Sequence, residues 1–170
     1  SALAIALWDI KGQYLKMPLY QLLGGKKRDK LRTYASQLQF GWGTARTPQY
    51  TIEDYETTAK KAIDEGYDAV KVDFFTFDPD PGKAYRYNYE DQTRLQRPEV
   101  IGMLESRLAA TRKAVGPNVD IIIENHSSTD AQAALQIGKM SQPSNIFYFE
   151  EPTTPTPKIT KYFHDQRQMP

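Results

Sequence analysis

Two glutamates follow short apolar segments, the position at which α/β proteins often carry their chemistry. Glu124 follows Ile121, Ile122 and Ile123, and Glu150 follows the apolar residues 146–149. Continuous apolar runs of this kind are typical of strands buried on both faces of a parallel sheet, where ligands bind beyond the carboxyl ends. We therefore expect the two carboxylates to lie side by side, where they would suit a hard divalent cation. The alternative is that they are surface acids that only end their strands.

A third apolar segment carries a lysine and an aspartate. Lys71 lies between Val70 and Val72, and it shares a face with Asp73 because side chains alternate along a strand. The pair could be a structural ion pair, or the lysine could hold a substrate carboxylate at the sheet edge. Asp73 could then orient Lys71 or act as a base itself, and both alternatives stay open.

His126 is the candidate proton donor. It lies two residues beyond Glu124 and would share its face if the strand continues, and histidine can donate a proton near neutral pH. The other histidine, His164, lies in a helix-like segment and is interpreted as structural. Glu151 would point away from Glu150 and is also interpreted as structural.

Helix-like and strand-like segments alternate along the chain, which predicts an α/β fold with a parallel sheet and right-handed crossovers. A Thr51–Asp54 capping box predicts the start of a helix that Gly66 ends. The other predicted segments are helices near residues 2–15, 101–115, 129–140 and 158–168, and strands near 31–36, 68–74, 121–124 and 146–150.

Residues 75–98 form a long segment rich in Tyr, Asp, Gly and Pro without clear periodicity, which predicts an inserted loop. Loops of this length are often active-site lids, while the Tyr85–Arg86–Tyr87 run is equally typical of a protein interface. We expect the loop to be poorly ordered or ordered by a partner surface.

The composition excludes several classes of protein. The 170 residues include no cysteine, which excludes disulfide frameworks and thiolate metal sites, and the net charge of +1 argues against a nucleic-acid partner. The apolar start, residues 1–7, lacks a basic region and is interrupted by Trp8-Asp9, so neither a signal peptide nor a membrane span is predicted there. A cytoplasmic location is expected.

Several motifs in sequence order resemble the enolase superfamily, in its mandelate racemase/muconate lactonizing enzyme branch. They are Ala6-Leu7-Trp8-Asp9-Ile10-Lys11-Gly12, Pro18-Leu19-Tyr20-Gln21-Leu22-Leu23-Gly24-Gly25, Val70-Lys71-Val72-Asp73, Ile123-Glu124-Asn125-His126 and Phe149-Glu150-Glu151-Pro152. The resemblance covers essentially the whole chain.

The resemblance implies a modified (β/α) TIM-like barrel that binds Mg²⁺. Glu124 would match the first metal ligand, usually Asp in the family, and Glu150 the second, while the third is expected beyond Pro170. Lys71 matches the first lysine of a K-x-K pair, but Asp73 replaces the second lysine. His126 stands where acid-sugar dehydratases of this branch carry a catalytic histidine, which favours dehydration over racemisation. The usual His-Asp base of the branch is expected on later strands.

We therefore expect a Mg²⁺-dependent acid-sugar (aldonate or aldarate) dehydratase that removes the proton next to a carboxylate and eliminates the 3-hydroxyl through an enediolate. The alternatives are a racemase or cycloisomerase of the same superfamily, or a non-catalytic barrel piece serving in assembly or ligand binding. Residues 1–170 are expected to form the first half of the barrel, roughly strands 1 to 4, without the capping domain and later strands. This half alone is expected to be inactive, and the complete protein to form a homo-oligomer.

Overall fold

The computed structural model describes residues 1–44, 46–78, 80 and 93–167. The chain divides into two compact units, Ser1–Arg32 and Thr33–Pro170. The assignment of all 170 residues to one partial barrel domain stays a prediction. None of the helices in the described part of the chain combines the length and the apolar content that a membrane crossing requires.

The first unit contains helix α1, Ala2–Leu15, and the short helix α2, Leu19–Leu22. Helix α1 ends as predicted before Met17-Pro18: Lys16 adopts a left-handed conformation with φ 50°, and its amide donates to the Gln13 carbonyl. The apolar side chains that predicted this helix, including Leu3 and Ile10, are exposed. The helical prediction is therefore confirmed, although within this unit the apolar positions do not form a buried stripe.

The second unit is built on a parallel three-stranded sheet in the order β1-β2-β3, with β1 Ala69–Val72, β2 Asp120–Glu124 and β3 Tyr148–Glu150. Isoleucines fill the middle of β2 and are buried, as expected for a strand covered on both faces. The mixed α/β architecture with parallel strands confirms the predicted fold class and is consistent with an incomplete barrel.

The strand expected at residues 31–36 is reduced to one parallel bridge between Ala35 and Val70. The Ala35 amide donates to the Ala69 carbonyl, and the Lys71 amide donates to the Ala35 carbonyl. Only Ala35 is fully buried in this segment, and Gln37 turns the chain with φ 61°. The prediction of a strand is wrong in extent because the residues before Ala35 have no apolar side chain in the core to hold them against β1.

Within the described residues, four helices flank the sheet: α3 Ile52–Asp64, α4 Pro98–Val115, α5 Ala131–Ser141 and α6 Pro157–Gln166. Two short 3₁₀ helices cover Leu38–Phe40 and Gln142–Ser144. The predicted capping box at the start of α3 is present, since the Thr51 side chain accepts from the Asp54 amide and the Asp54 carboxylate accepts from the Thr51 amide. Helices α3 and α4 pack together, and Ala59, Leu104 and Leu108 lie in the same core cluster as the apolar residues of β1 and β2.

The predicted inserted loop lies partly outside the described residues, because 79 and 81–92 are not described. This includes Tyr85, Arg86 and Tyr87, so the lid and interface hypotheses stay predictions. The beginning of the segment differs from expectation: Phe75, Thr76 and Phe77 are buried. They follow β1 after Asp73 and Phe74, and Phe77 packs edge-on against Phe40. This first part of the loop therefore belongs to the core.

Candidate functional site

The carboxyl ends of the three strands meet at one edge of the sheet. Glu124 at the end of β2 is the register partner of Glu150 at the end of β3. Val72 at the end of β1 is the partner of Ile123, so Asp73 follows the sheet at the level of Glu124. Parallel pairing of buried strands therefore brings together residues that are far apart in sequence, as expected for this class of sheet.

Lys71 lies between the two glutamates. Its Nζ is 2.9 Å from Oε1 of Glu124 and 3.2 Å from both carboxylate oxygens of Glu150. The Lys71 and Glu124 side chains are 8% and 10% exposed, whereas that of Glu150 is 31% exposed. The two carboxylates thus share one positive charge, which offsets much of the cost of burying them.

This arrangement keeps the lysine charged. Burial disfavours the ammonium form, but hydrogen bonds to Glu124 and Glu150 and the charges of both carboxylates outweigh it, so the pKa of Lys71 is raised above its ordinary value. A lysine in this state is a poor general base and a good ligand for an anion.

Asp73 pairs with His126. Oδ2 of Asp73 is 3.0 Å from Nδ1 of the imidazole, while Oδ1 accepts from the Phe75 amide at 2.9 Å. The Asp73 amide donates to Oε1 of buried Gln39 at 3.2 Å. The side-chain partner of Asp73 in this structure is therefore His126. The two roles that the sequence leaves open for Asp73, orienting Lys71 or acting as a base, stay predictions.

His126 faces Glu124 by a different route from the one predicted. Strand β2 ends at Glu124, and His126 and Ser127 both adopt left-handed conformations, with φ 51° and 56°. The turn nevertheless brings Nε2 of His126 to 3.6 Å from Oε1 of Glu124, with the ring 37% exposed. Two successive left-handed residues other than glycine cost about 1–3 kcal/mol each, so the surrounding structure must hold this turn.

Two tyrosines that were not predicted as site residues lie beside the ion pairs that Lys71 forms with Glu124 and Glu150. The Lys71 ammonium lies 5.1 Å from the ring centroid of Tyr34, and the Tyr148 hydroxyl donates to Oε2 of Glu150 at 3.5 Å. Tyr148 precedes Glu150 by two residues on β3, so strand alternation was the signal that could have found it. Tyr34 has no comparable signal, because its position depends on the bridge that Ala35 forms with β1.

Two residues interpreted as structural, Glu151 and His164, have exposed side chains. Glu151 is exposed and adopts a left-handed conformation with φ 46°. The His164 side chain is 64% exposed on α6, with Nδ1 3.5 Å from Asp165. Both interpretations stay predictions.

The donor set at the sheet edge fits a hard cation in part. Glu124 and Glu150 converge on one point, now filled by the lysine ammonium, and Oε2 of Glu124 is buried without a hydrogen-bond partner among the described residues. Buried carboxylate oxygens of this kind suit Mg²⁺. Within residues 1–44, 46–78, 80 and 93–167, no group of three or more His, Cys, Asp or Glu side chains is arranged to hold a metal ion. The described residues therefore provide two of the carboxylates such a site would use.

The five predicted residues, Lys71, Asp73, Glu124, His126 and Glu150, thus form one connected cluster. Glu124 joins its two halves, since Oε1 faces both the Lys71 ammonium and the His126 ring. The roles assigned to these residues stay predictions.

Comparison with known proteins identifies the relatives of this chain. A relative from Thermoproteus tenax named D-gluconate dehydratase is 40% identical over 153 residues, which cover 89% of this chain and 26% of that protein. A D-gluconate/D-galactonate dehydratase from Picrophilus torridus is 32% identical over 155 residues, which cover 91% of this chain and 34% of that protein.

A solved structure shows the same backbone arrangement. The crystal structure of a member of the enolase superfamily from Salmonella Typhimurium matches with a TM-score of 0.91 and 43% identity, covering 100% of this chain and 43% of that chain. The chain therefore spans less than half the length of each of these relatives.

The family comparison agrees with the structural one. The model of the family described as Enolase C-terminal domain-like matches residues 54–169, which contain all five clustered residues. Because this match covers more than half of the 170 residues and the backbone likeness extends over the whole chain, the chain belongs to the enolase C-terminal domain-like family of the enolase superfamily.

Proposed function

We propose that the complete protein is a Mg²⁺-dependent acid-sugar dehydratase. It would remove the proton next to the carboxylate of an aldonate or aldarate and eliminate the 3-hydroxyl as water, leaving a 2-keto-3-deoxy acid. The names of the relatives support this substrate class, since two of them are dehydratases of D-gluconate or D-galactonate. The observation that carries the proposal is the convergence of Lys71, Glu124 and Glu150 with the Asp73–His126 pair.

Glu124 and Glu150 are the proposed metal ligands. Both lie at the carboxyl ends of neighbouring strands, and the unpaired Oε2 of Glu124 is a buried donor atom that a cation would satisfy. When bound, Mg²⁺ would stabilise the negative charge that develops on the substrate as its α-proton is removed.

Lys71 is proposed to bind the substrate carboxylate or the anion formed from it. The raised pKa keeps this ammonium charged, and Lys71 is held at a point where two carboxylates already orient it. Its position between the proposed metal ligands would place a substrate carboxylate close to them. A fixed cation at this place offsets charge that appears during proton removal.

His126 is proposed as the acid that protonates the departing 3-hydroxyl, with Asp73 as its orienting partner. As an imidazolium, His126 donates through Nδ1 to Asp73, and Nε2 carries the second proton. The Asp73 carboxylate stabilises this charged form and fixes the ring, the role that an acid plays behind a catalytic histidine in hydrolases. Proton transfer by a positioned group of this kind contributes about a hundred-fold or more to rate.

The proposal is tested with the complete protein and a panel of aldonates and aldarates, including D-gluconate and D-galactonate. We expect a 2-keto acid to form in the presence of Mg²⁺, to stop forming on chelation and to return on adding Mg²⁺. His126→Asn should lower turnover about a hundred-fold while changing the Mg²⁺ dissociation constant little. Glu124→Gln and Glu150→Gln should weaken Mg²⁺ binding itself.

The chain offers matched controls for these variants. Glu151→Gln alters the neighbouring exposed acid and His164→Asn the exposed histidine, and both should behave like the wild type. Exchange of the α-proton with solvent deuterium without loss of water, across the whole panel, would overturn dehydration in favour of racemisation. Mg²⁺ binding unchanged in both glutamine variants would overturn the proposed ligands. The homo-oligomeric state of the complete protein stays a prediction.

A further inference from the structure

We propose that Asn125 and Thr129 are positioning residues that hold His126 in place by joining the loop after β2 to the loop after β3. The inference rests on the proposed function, in which His126 takes part in the reaction. The contacts that define the cluster of Lys71, Asp73, Glu124, His126 and Glu150 do not include either residue. Their effect on the site would pass through the backbone between them, residues 126–128.

The joint consists of three hydrogen bonds, and two of them end on the same carbonyl. Asn125 Nδ2 donates to Oγ1 of Thr129 at 2.8 Å and to the Pro152 carbonyl at 2.8 Å. The Thr129 hydroxyl donates to the same Pro152 carbonyl at 2.6 Å. A carbonyl oxygen has two lone pairs, so these two donors saturate Pro152 and fix its position relative to both side chains.

The backbones of the two loops are paired at the same place. The Ser127 amide donates to the Glu151 carbonyl at 2.9 Å, and Thr129 forms a parallel bridge with Thr153. Glu151 directly follows the proposed metal ligand Glu150, and Ser127 directly follows His126. The joint therefore connects the loop that carries the proposed acid to the loop that continues from a proposed ligand.

The conformation of the β2 loop explains why it needs such support. His126 and Ser127 are both left-handed, an arrangement that residues with side chains rarely adopt without external contacts. Asp73 fixes the ring of His126 from one side, and the Asn125–Thr129–Pro152 hydrogen bonds fix its backbone from the other.

Burial shows that the joint is built from polar groups in the interior rather than from surface contacts. Asn125 is 1% and Thr129 3% exposed. Polar side chains at such depth cost stability unless they are hydrogen-bonded, and an apolar residue of similar size would fill the same volume. The hydrogen bonds of Asn125 and Thr129 therefore fix the relative position of the two loops more closely than apolar packing would.

The first test does not depend on activity. In the complete protein, Thr129→Val keeps the shape of the side chain and removes the hydroxyl, whereas Thr129→Ser retains the hydroxyl. Amide hydrogen exchange of Ser127 should rise about ten-fold or more in Thr129→Val and stay within about two-fold of wild type in Thr129→Ser. Asn125→Asp, which replaces both donated hydrogens with an oxygen facing the Pro152 carbonyl, should act like Thr129→Val.

Thr111→Val is the matched control. Thr111 is 1% exposed and its hydroxyl donates to the Arg107 carbonyl at 2.9 Å within α4, away from the site. Thr111→Val should lower the free energy of global unfolding about as much as Thr129→Val does. Amide exchange of Ser127, compared at matched global stability, should stay unchanged. Unchanged Ser127 exchange in both Thr129→Val and Asn125→Asp would overturn the inference, whether or not the protein is active.

The second test separates positioning from general stability. Thr129→Val should lower kcat about ten-fold with KM and Mg²⁺ affinity within about two-fold of wild type, and Thr129→Ser should restore kcat. In a His126→Asn background, Thr129→Val should cause little further loss, because the group it positions is already gone. Equal losses in both backgrounds would overturn the positioning role.

The two tests also distinguish this inference from the proposed function. If His126→Asn has wild-type turnover, the role of His126 in the reaction is wrong, and Ser127 exchange still decides whether the joint holds the loop. If His126→Asn is inactive and Thr129→Val has wild-type kcat, the proposed function stands and the positioning inference is wrong.

Discussion

Nδ1 of His126 lies 3.0 Å from Oδ2 of Asp73, although 53 positions of sequence separate the two residues. Asp73 is itself held by the Phe75 amide and by Gln39, so the ring is attached to a fixed carboxylate. The other ring nitrogen faces Glu124 at 3.6 Å. This relationship divides the site into an Asp–His pair and a lysine–carboxylate cluster that meet at Glu124.

Asp73→Asn should lower kcat about ten- to a hundred-fold with little change in KM. Asparagine can still accept the Phe75 amide, but its amide nitrogen would face Nδ1 of His126 and favour the wrong tautomer without stabilising the imidazolium. Steady-state kinetics of the complete protein measure this. Asp64→Asn, in an exposed pair with Lys60, is the control and should leave both constants unchanged. Wild-type kcat in Asp73→Asn would remove Asp73 from the mechanism.

Lys71→Met should destabilise the metal-free protein by about 3 kcal/mol, because it leaves Glu124 and Glu150 facing each other without their shared positive charge. Urea unfolding in the presence of a chelator measures the change in free energy of unfolding. Added Mg²⁺ should recover part of the loss, since it would supply the missing positive charge.

Lys60→Met is the control for this variant. Lys60 and Asp64 form a pair on α3 whose side chains are 67% and 61% exposed, so its loss should change stability by less than about 0.5 kcal/mol. Similar effects of the two substitutions would contradict the buried counter-ion role of Lys71.

Asp54 should make the start of α3 sensitive to acid. Burial acts to raise its pKa, but hydrogen bonds from the Thr51 and Tyr50 amides and with the Thr51 side chain outweigh burial, so the pKa of Asp54 lies below its ordinary 3.8. A carboxyl with a lowered folded-state pKa adds stability that is present above the ordinary value and is lost as pH falls through the lowered one.

Unfolding of wild type and Asp54→Asn from pH 7 to pH 2 tests this. The wild type should be more stable by about 0.5–1 kcal/mol near neutral pH, the usual contribution of a cap, and the difference should shrink below about pH 4. A difference that is constant across the whole range would show that the charge of Asp54 does not contribute.

Arg107→Met should destabilise the protein by about 3 kcal/mol. Arg107 is 1% exposed, and its Nη1 donates to the Phe74 and Phe77 carbonyls at 2.6 and 2.8 Å, which would be left without these donors. Arg107→Lys should recover only part of the loss, because an ammonium cannot reproduce the guanidinium fork. Arg97→Met, at a 67% exposed side chain, is the control and should be near neutral in thermal unfolding. Equal stability of the two methionine variants would contradict a structural role for Arg107.

Short-range features of this protein follow from the sequence alone. The Thr51–Asp54 capping box is local, so the residue types determine the start of α3 without reference to the rest of the chain. The isoleucines of β2 predict a buried strand, and the parallel sheet then places Glu124 beside Glu150. Side-chain alternation could also have identified Tyr148.

Only the tertiary structure decided which charged groups pair. Lys71 reaches Glu150 across 79 positions, and Asp73 binds His126 instead of its neighbour Lys71, because strand order and side-chain length set these contacts. The turn at His126 likewise replaces the strand continuation that alternation predicts, since the two loop backbones and Pro152 hold it in a left-handed conformation. The strand predicted at residues 31–36 is only one bridge, at Ala35, for a related reason. The local strand propensity of a segment does not determine whether the segment has a core to pack against.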